Sequence, residues 1–472
     1  MRPTHSLLAS LTSLVVFACG GGNDDSNPFS NGPTGGSGEG ATSSGGQDAS
    51  GGGGATDSGG RSTGGSRPTE AATENLFSTL TGKSQTEVDS KVSTAVDRFF
   101  GIGTGEPSTP TRDAGYRCYY ELPQDRSMAF VWAADSNDIR SEGMSYGLMI
   151  AVQMDMQEQF DKLWKFAKAH SQYTDGSVPA WRYYFRWRGQ LNTGSPNNWQ
   201  ISWADGDGPA PDGDEYYAAA LYLADRRWGS SGTYDYRQEA DNISAAMLHN
   251  QASADGRTPI INAGNDMVVF YPLGTSAQFT DPSYHLPAFY ELFALYGPSS
   301  DASRWQTIAD TSRGFLVSSA HRTTGLHPDY AQFSGAATNG GNTSASCSHD
   351  RFCYDAWRVV MNMAIDYALF SQDPRLQQQV EKYHAFFGSH LANGNVSNSL
   401  FALDGSGASG GGSTALTATL AAGALASTAD NRATYVENLW AVPQQSGEYR
   451  YYQETVYLLG LLATAGKFRY DF

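Results

Sequence analysis

Three acidic residues, Glu142, Asp212 and Asp355, each stand where helical periodicity begins, and each is embedded in apolar or aromatic sequence. Glu142 lies in DIRSEGMSYGLMIAVQMD, Asp212 in GPAPDGDEYYAAALYLADRRW after a Pro-Ala-Pro loop, and Asp355 in HDRFCYDAWRVVMNMAIDYALF. Acids at helix N-termini are ordinarily capping residues, favoured by orphan N–H groups and by the macrodipole. Carboxyls held among aromatics and glycines can also do general acid and base work, because one environment keeps a carboxyl protonated while another keeps it ionised. A helix N-terminus favours the ionised form. A proton donor at Glu142 therefore requires desolvation by Met144 and nearby aromatics, or a second carboxylate such as Asp212, to outweigh the dipole. Asp355 has the opposite need. Arg358, one helical turn on, either keeps it ionised or pairs with Asp350 or another surface acid. Next to Glu142, Ser141 is placed to cap the helix, and Gly143 and Gly147 permit close backbone approach.

These acids must be positioned by helices. Apolar residues recur at i, i+3, i+4 and i+7 over 83–101, 142–155, 158–171, 214–229, 235–251, 286–297, 303–320, 356–370 and 454–466, whereas strand-like alternation is sparse. About twelve helices in roughly 400 residues would make six helical hairpins, the dimensions of an (α/α)6 barrel. Residues more than 200 positions apart could then meet at the barrel's end. The Gly/Ser run at 405–414 falls between helical segments and reads as a mobile loop.

The chain has 472 residues, 53 of them Gly, and a formal net charge of −17. Residues 20–66 contain 18 Gly and no Trp, Tyr, Leu, Ile, Val or Met, too little apolar surface to offset ordering entropy. Before that segment, Arg2 and His5 precede LLASLTSLVVFAC, which fits the apolar region of a secretory signal. Its end at Cys19, after Val16-Phe17-Ala18 and before Gly20, resembles a bacterial lipobox, in which the cysteine is acylated. The expected organisation is a signal over 1–19, a disordered Gly/Ser-rich linker over 20–70 and one folded domain over 71–472. The protein is expected to be exported, to meet membrane only through the lipid anchor, and to be a monomer. An acidic surface repels phosphate backbones, which argues against nucleic acid. Abundant aromatics suit a neutral ligand with flat apolar faces and a rim of hydroxyls, such as a carbohydrate. Cys347 and Cys353 could close a short loop, leaving Cys118 unpaired. No cysteine or histidine cluster has zinc spacing, His349 and Asp350 read as loop groups, and neither a metal nor a cofactor is expected.

The segment APDGDEYYAAALYLADRRW resembles the signature of glycoside hydrolase family 8, with Ala210, Asp212, Gly213, Asp214, Ala218, Ala220, Leu221, Ala224 and Trp228 matching and Pro211 and Tyr217 departing from it. The resemblance continues, in order, through SEGMSYGLMIAVQMD, TDPSYHLPAFYELFALYG, YDAWRVVMNMAIDYAL and YRYYQETVYLLGLLATAGKFR. It is strongest to the branch of reducing-end xylose-releasing exo-oligoxylanases. Those enzymes close the reducing-end side of the cleft with a His-Pro loop where this chain has its Gly/Ser run. The resemblance implies an (α/α)6 barrel and hydrolysis with inversion, with Glu142 as general acid, Asp355 as general base and Asp212 as a carboxylate supporting the sugar. The substrate implied is a β-1,4-linked xylo-oligosaccharide or xylan.

Trp181 in GSVPAWRYY and Trp132 in AFVWAADSND are candidates for stacking on pyranose faces, with core packing the ordinary alternative. Arg140, Tyr284, Tyr354 and Arg358 are candidates for hydrogen bonds to substrate. His285 in PSYHLPAF reads as support for the site wall. The competing classes are a family 8 endoglucanase, lichenase or chitosanase, a non-catalytic surface glycan-binding protein, and an unrelated α-barrel lyase or isomerase. The last would need a Tyr/His or metal constellation for which no set of residues presents itself.

Overall fold

A computed structural model describes residues 71–472 except 175, 204–206, 342–346 and 393–394. The expected signal over 1–19, the acylation of Cys19 and the linker over 20–70 lie outside the described residues. Thirteen α-helices carry the described fold: α1 (Leu76–Thr81), α2 (Gln85–Phe100), α3 (Ser141–Gln153), α4 (Gln157–His170), α5 (Pro211–Trp228), α6 (Tyr236–His249), α7 (Pro287–Tyr296), α8 (Ala302–Ser318), α9 (Val359–Asp366), α10 (Pro374–Phe387), α11 (Thr414–Gly423), α12 (Arg432–Ala441) and α13 (Arg450–Thr464).

Six of them form a closed ring in which α3, α5, α7, α9, α11 and α13 each pack on the next, and α13 returns to α3. Outside the ring, α4, α6, α8, α10 and α12 each pack on the inner helix that precedes them, and α2 backs α13. This is the (α/α)6 barrel, with its sixth hairpin made from the two ends of the domain. Burial explains the sorting. Every residue of α3, α9 and α11 is buried, as helices enclosed on all sides must be, whereas α4 buries only Phe160, Leu163, Trp164, Phe166 and Ala167. Close ring packing needs small residues. A side chain on Gly460 of α13 would press into the backbone of Ala418 on α11, its Cβ 2.7 Å from the Ala418 carbonyl.

The helices the periodicity predicts are all present, with one refinement at 356–370. There a 3₁₀ turn (Asp355–Arg358), α9 and a π-helical turn (Tyr367–Ser371) share the segment. Short strands occupy the loops. A hairpin of β1 (Tyr119–Leu122) and β2 (Asp125–Val131) and a three-stranded sheet of β3 (Asp138–Arg140), β4 (Arg188–Asn192) and β5 (Gln200–Trp203) stand before and beside α3. β3 runs directly into the residue before α3, so pairing of Arg140 with Arg188 fixes where that helix begins.

The run 405–412 is a largely exposed loop ending at Ser413, whose side chain caps α11. Cys347 and Cys353 are disulfide-bonded and Cys118 is a buried free thiol. The ends of the domain meet: Thr73 N–H donates to the Phe468 carbonyl and Tyr470 N–H to the Ala71 carbonyl. No described helix is long and apolar enough to cross a membrane.

Candidate active site

The N-termini of the inner helices converge at one end of the barrel and bring the three acids with them. Glu142 is the second residue of α3, Asp212 the second residue of α5 behind Pro211, and Asp355 opens the 3₁₀ turn that leads into α9. Ser141 does not cap α3. The helix begins one residue earlier than such a cap requires, because β3 delivers Arg140 as the N-cap residue and the Ser141 N–H donates to the Trp187 carbonyl. The Ser141 hydroxyl lies buried against Gly213 with no hydrogen-bond partner among the described residues. Gly143 and Gly147 do permit close approach: a Cβ at the first would enter the Tyr451 ring, and at the second it would meet the Val131 side chain at 2.9 Å.

Arg358 joins the three acids. Its Nη1 donates to Glu142 Oε2 and Asp212 Oδ2, each at 2.9 Å, and lies 2.6 Å from the Tyr146 hydroxyl. Its Nη2 donates to Ser283 Oγ at 2.7 Å and Asp355 Oδ1 at 3.2 Å. Of the two readings open for Arg358, the structure places it beside Asp355 and adds two further carboxylates; Asp350 is exposed. No two of the three acids can then lie further apart than two hydrogen bonds and the width of a guanidinium. All four side chains are nearly inaccessible, at 4% or less.

Burial with one cation among three carboxyls has predictable electrostatic results. Asp212 is pushed up to about 7, first by loss of solvent and then by the charge of Glu142, with Arg358 pulling the other way. Asp355 is also raised. Burial is again the largest influence, Arg358 opposes it, and the charges of Asp281, Asp329 and Glu142 reinforce it. Asp355 Oδ2 is buried with no hydrogen-bond partner among the described residues, so one lone-pair face of this carboxyl remains uncommitted.

The remaining sequence candidates divide. Tyr284 belongs to the cluster, its ring 5.7 Å from the Arg358 guanidinium. Tyr354 packs on Trp357 and accepts at its carbonyl from the Tyr452 hydroxyl. Arg140 stands one layer out, ion-paired to Asp138 and placed over the Tyr451 ring at 5.5 Å. Trp181 and Trp132 present no open face. Trp181 is 0% exposed, donates its indole N–H to the Pro272 carbonyl and packs between Tyr173 and Tyr271. Trp132 donates to Asn137 Oδ1 and lies under Arg450. Both are wall residues, and the stacking expectation gives way to the packing alternative. His285 is buried and held neutral, its pKa lowered to about 3 by desolvation, with its nitrogens on Ser312 and Thr280.

Several site residues escape the sequence reading. Tyr451 donates its hydroxyl to Glu142 Oε1 at 2.9 Å, and Tyr146 reaches the guanidinium from one helical turn beyond Glu142. The i+4 spacing in EGMSY was an available signal for Tyr146, but nothing in the aromatic run YRYYQETVY singles out Tyr451 from its neighbours. Among the described residues no group of three or more His, Cys, Asp or Glu could hold a metal ion.

Comparison with known proteins bears on this geometry. The family model for glycosyl hydrolases family 8 matches residues 131–466. A reducing-end xylose-releasing exo-oligoxylanase of Paenibacillus barcinonensis is 35% identical over 365 residues, covering 76% of this chain and 88% of that protein. A protein of the same description from Halalkalibacterium halodurans is 33% identical over 400 residues, covering 84% and 93%. The crystal structure of a family 8 xylobiose complex from Teredinibacter turnerae superposes with a TM-score of 0.74 at 36% identity, covering 84% of this chain and 97% of that one.

Proposed function

Since the chain belongs to glycosyl hydrolase family 8, and is thus a glycosidase, we propose that it hydrolyses β-1,4-xylosidic bonds with inversion, removing xylose from the reducing end of xylo-oligosaccharides. The observation that carries the chemistry is the single Arg358 guanidinium bound to Glu142, Asp212 and Asp355. The xylo-oligosaccharide class rests on the exo-oligoxylanase relatives at 33–35% identity.

In this reading Glu142 gives its proton to the glycosidic oxygen as the bond from that oxygen to C1 breaks. On the opposite face of the sugar, Asp355 takes a proton from a water whose oxygen bonds to C1, so a β-linkage yields an α-anomer. The uncommitted Oδ2 of Asp355 is the acceptor for that proton. Glu142 and Asp212 accept from one guanidinium nitrogen. In the reacting state Glu142 holds the transferable proton and Asp212 is the ionised neighbour of the positive charge that develops at C1. Turnover leaves Glu142 ionised and Asp355 protonated, and exchange with solvent resets both.

The same proposal places the enzyme outside the cytoplasm, anchored through an acylated Cys19. The apolar segment ending at Cys19 and the Cys347–Cys353 bridge, which suits an oxidising compartment, support it. Xylo-oligosaccharides labelled at the reducing end test the specificity. Stepwise release of labelled xylose is expected; mixed internal fragments would mean endo action, and cleavage of chito- or cello-oligosaccharides with none of xylo-oligosaccharides would overturn the substrate class.

A further inference from the structure

The seven-residue loop closed by Cys347–Cys353 ends two residues before Asp355, and its contacts run toward that acid. His349, within the loop, pairs through Nδ1 with Asp329 Oδ2 at 3.1 Å. The other oxygen of the same carboxylate, Asp329 Oδ1, accepts the backbone N–H of Ala356 at 3.1 Å, and Ala356 follows Asp355 in the chain. Asp329 is fully buried, and its two oxygens are divided between the loop and the backbone beside Asp355. The backbone doubles the connection: the Asp329 N–H donates to the Arg351 carbonyl and the Tyr330 N–H to the His349 carbonyl, while the Tyr330 and His349 rings stack at 4.1 Å. On its far side the loop is fixed by reciprocal bonds between Phe352 and Phe401.

We propose that Asp329 is a positioning residue for Asp355, held by His349 of the disulfide-closed loop and setting the backbone of the turn from which Asp355 projects. The inference rests on the reading of Asp355 as the general base. The turn at Asp355–Arg358 is 3₁₀ and not yet α-helical, so its first N–H groups lack the intrahelical partners that would fix them. Asp329 supplies one of those partners from a different part of the chain. Because Arg358 belongs to the same turn, the Ala356 hydrogen bond also sets where the guanidinium meets Glu142 and Asp212. A buried carboxylate is used where a neutral acceptor would satisfy the N–H, and its second oxygen accounts for the choice, since it ties the turn to the loop.

Steady-state kinetics on a xylo-oligosaccharide, per folded molecule by active folded fraction, test this with three variants. Asp329→Ala is expected to lower kcat about 100-fold with KM within about twofold, since displacement of a reacting group by an ångström costs that order in rate. Asp329→Asn keeps an oxygen for the Ala356 N–H and is expected to retain kcat within a few-fold. Wild-type kcat in Asp329→Ala, or equal losses in Asp329→Ala and Asp329→Asn, would overturn the proposal. If Asp329→Ala does not fold, His349→Gln decides, with kcat lowered about tenfold expected and an unchanged kcat overturning. Asp355→Ala, run alongside, separates the two readings: if it stays active the base assignment fails, whereas an inactive Asp355→Ala beside an unaffected Asp329→Ala removes the positioning role alone.

Discussion

Glu142 and Arg358 are 216 residues apart in the chain, and their side chains meet at 2.9 Å inside the barrel end. The contact exists because the first turn of α3 and the 3₁₀ turn that leads into α9 are both presented there. Glu142→Gln keeps the shape of this contact and removes the transferable proton. Its kcat is expected to fall by about 10²–10⁴ with oligosaccharide binding by calorimetry retained, as for loss of a general acid. Unchanged turnover would exclude Glu142 as the donor, and early accumulation of the β-anomer in an NMR time course of the wild type would exclude inversion.

The acid limb of the rate against pH should be displaced upward. Asp355 must be ionised to accept a proton, and burial raises its pKa, so activity climbs with pH through a value above the usual carboxylate range. Asp212 must also be ionised to face the charge developing at C1, and its rise to about 7 extends the climb of activity toward neutrality. A kcat/KM profile with its acid limb near pH 4, the ordinary carboxylate value, would contradict this account of Asp355.

Stability should fall as pH rises, through Glu454. This carboxyl is buried on α13, accepts from Gln444 and Gln445, and is pushed up by desolvation from its ordinary 4.5 to about 8. A raised carboxyl pKa means that the folded state binds the proton more tightly than the unfolded one. Its stabilisation is complete below about 4.5 and is lost between about 4.5 and 8, at up to about 1.4 kcal/mol per pH unit. Glu454→Gln should flatten the melting temperature across that window; an unchanged slope would exclude Glu454 as its source.

At the opposite end of α9, Asp366 receives both Arg313 Nε and Nη2, at 2.9 and 2.7 Å, and Arg313 also pairs with Glu291 at 3.0 Å. This network joins α7, α8 and α9 and is almost fully buried. Asp366→Ala leaves a buried guanidinium with less compensation and should destabilise by about 3–5 kcal/mol in thermal or denaturant unfolding. Activity per folded molecule should stay close to wild type, because the change lies a helix length from Glu142.

Helices were legible where one apolar stripe keeps a helical period, as in α4, whereas α11, buried on every face, has no such stripe and is absent from the helices the periodicity predicts. The three acids were legible because each sits in a long motif at a helix start. The role of Arg358 as common partner was not, since its contacts with Glu142 and Asp212 arise from ring closure and leave no local trace. Asp329 was invisible for the same reason: it lies in a loop, and its partners are a backbone N–H 27 residues on and a histidine that local sequence presents as a loop group. For Trp181 and Trp132 the sequence does not separate stacking on a sugar from core packing, because an aromatic in a loop looks alike in sequence whether it faces a cleft or closes a wall.

The meeting of Thr73 with Phe468 and of Ala71 with Tyr470 fixes where the chain enters this barrel. Both pairs lie past the C-terminal end of α13, whereas Tyr451 at its other end touches Glu142. A 15-residue helix is about 22 Å long, so the chain enters the domain roughly that far from the carboxylates, on the opposite pole. The ends of the folded domain thus leave the mouth of the barrel uncrowded, and a sugar chain reaches the carboxylates without passing the chain's point of entry.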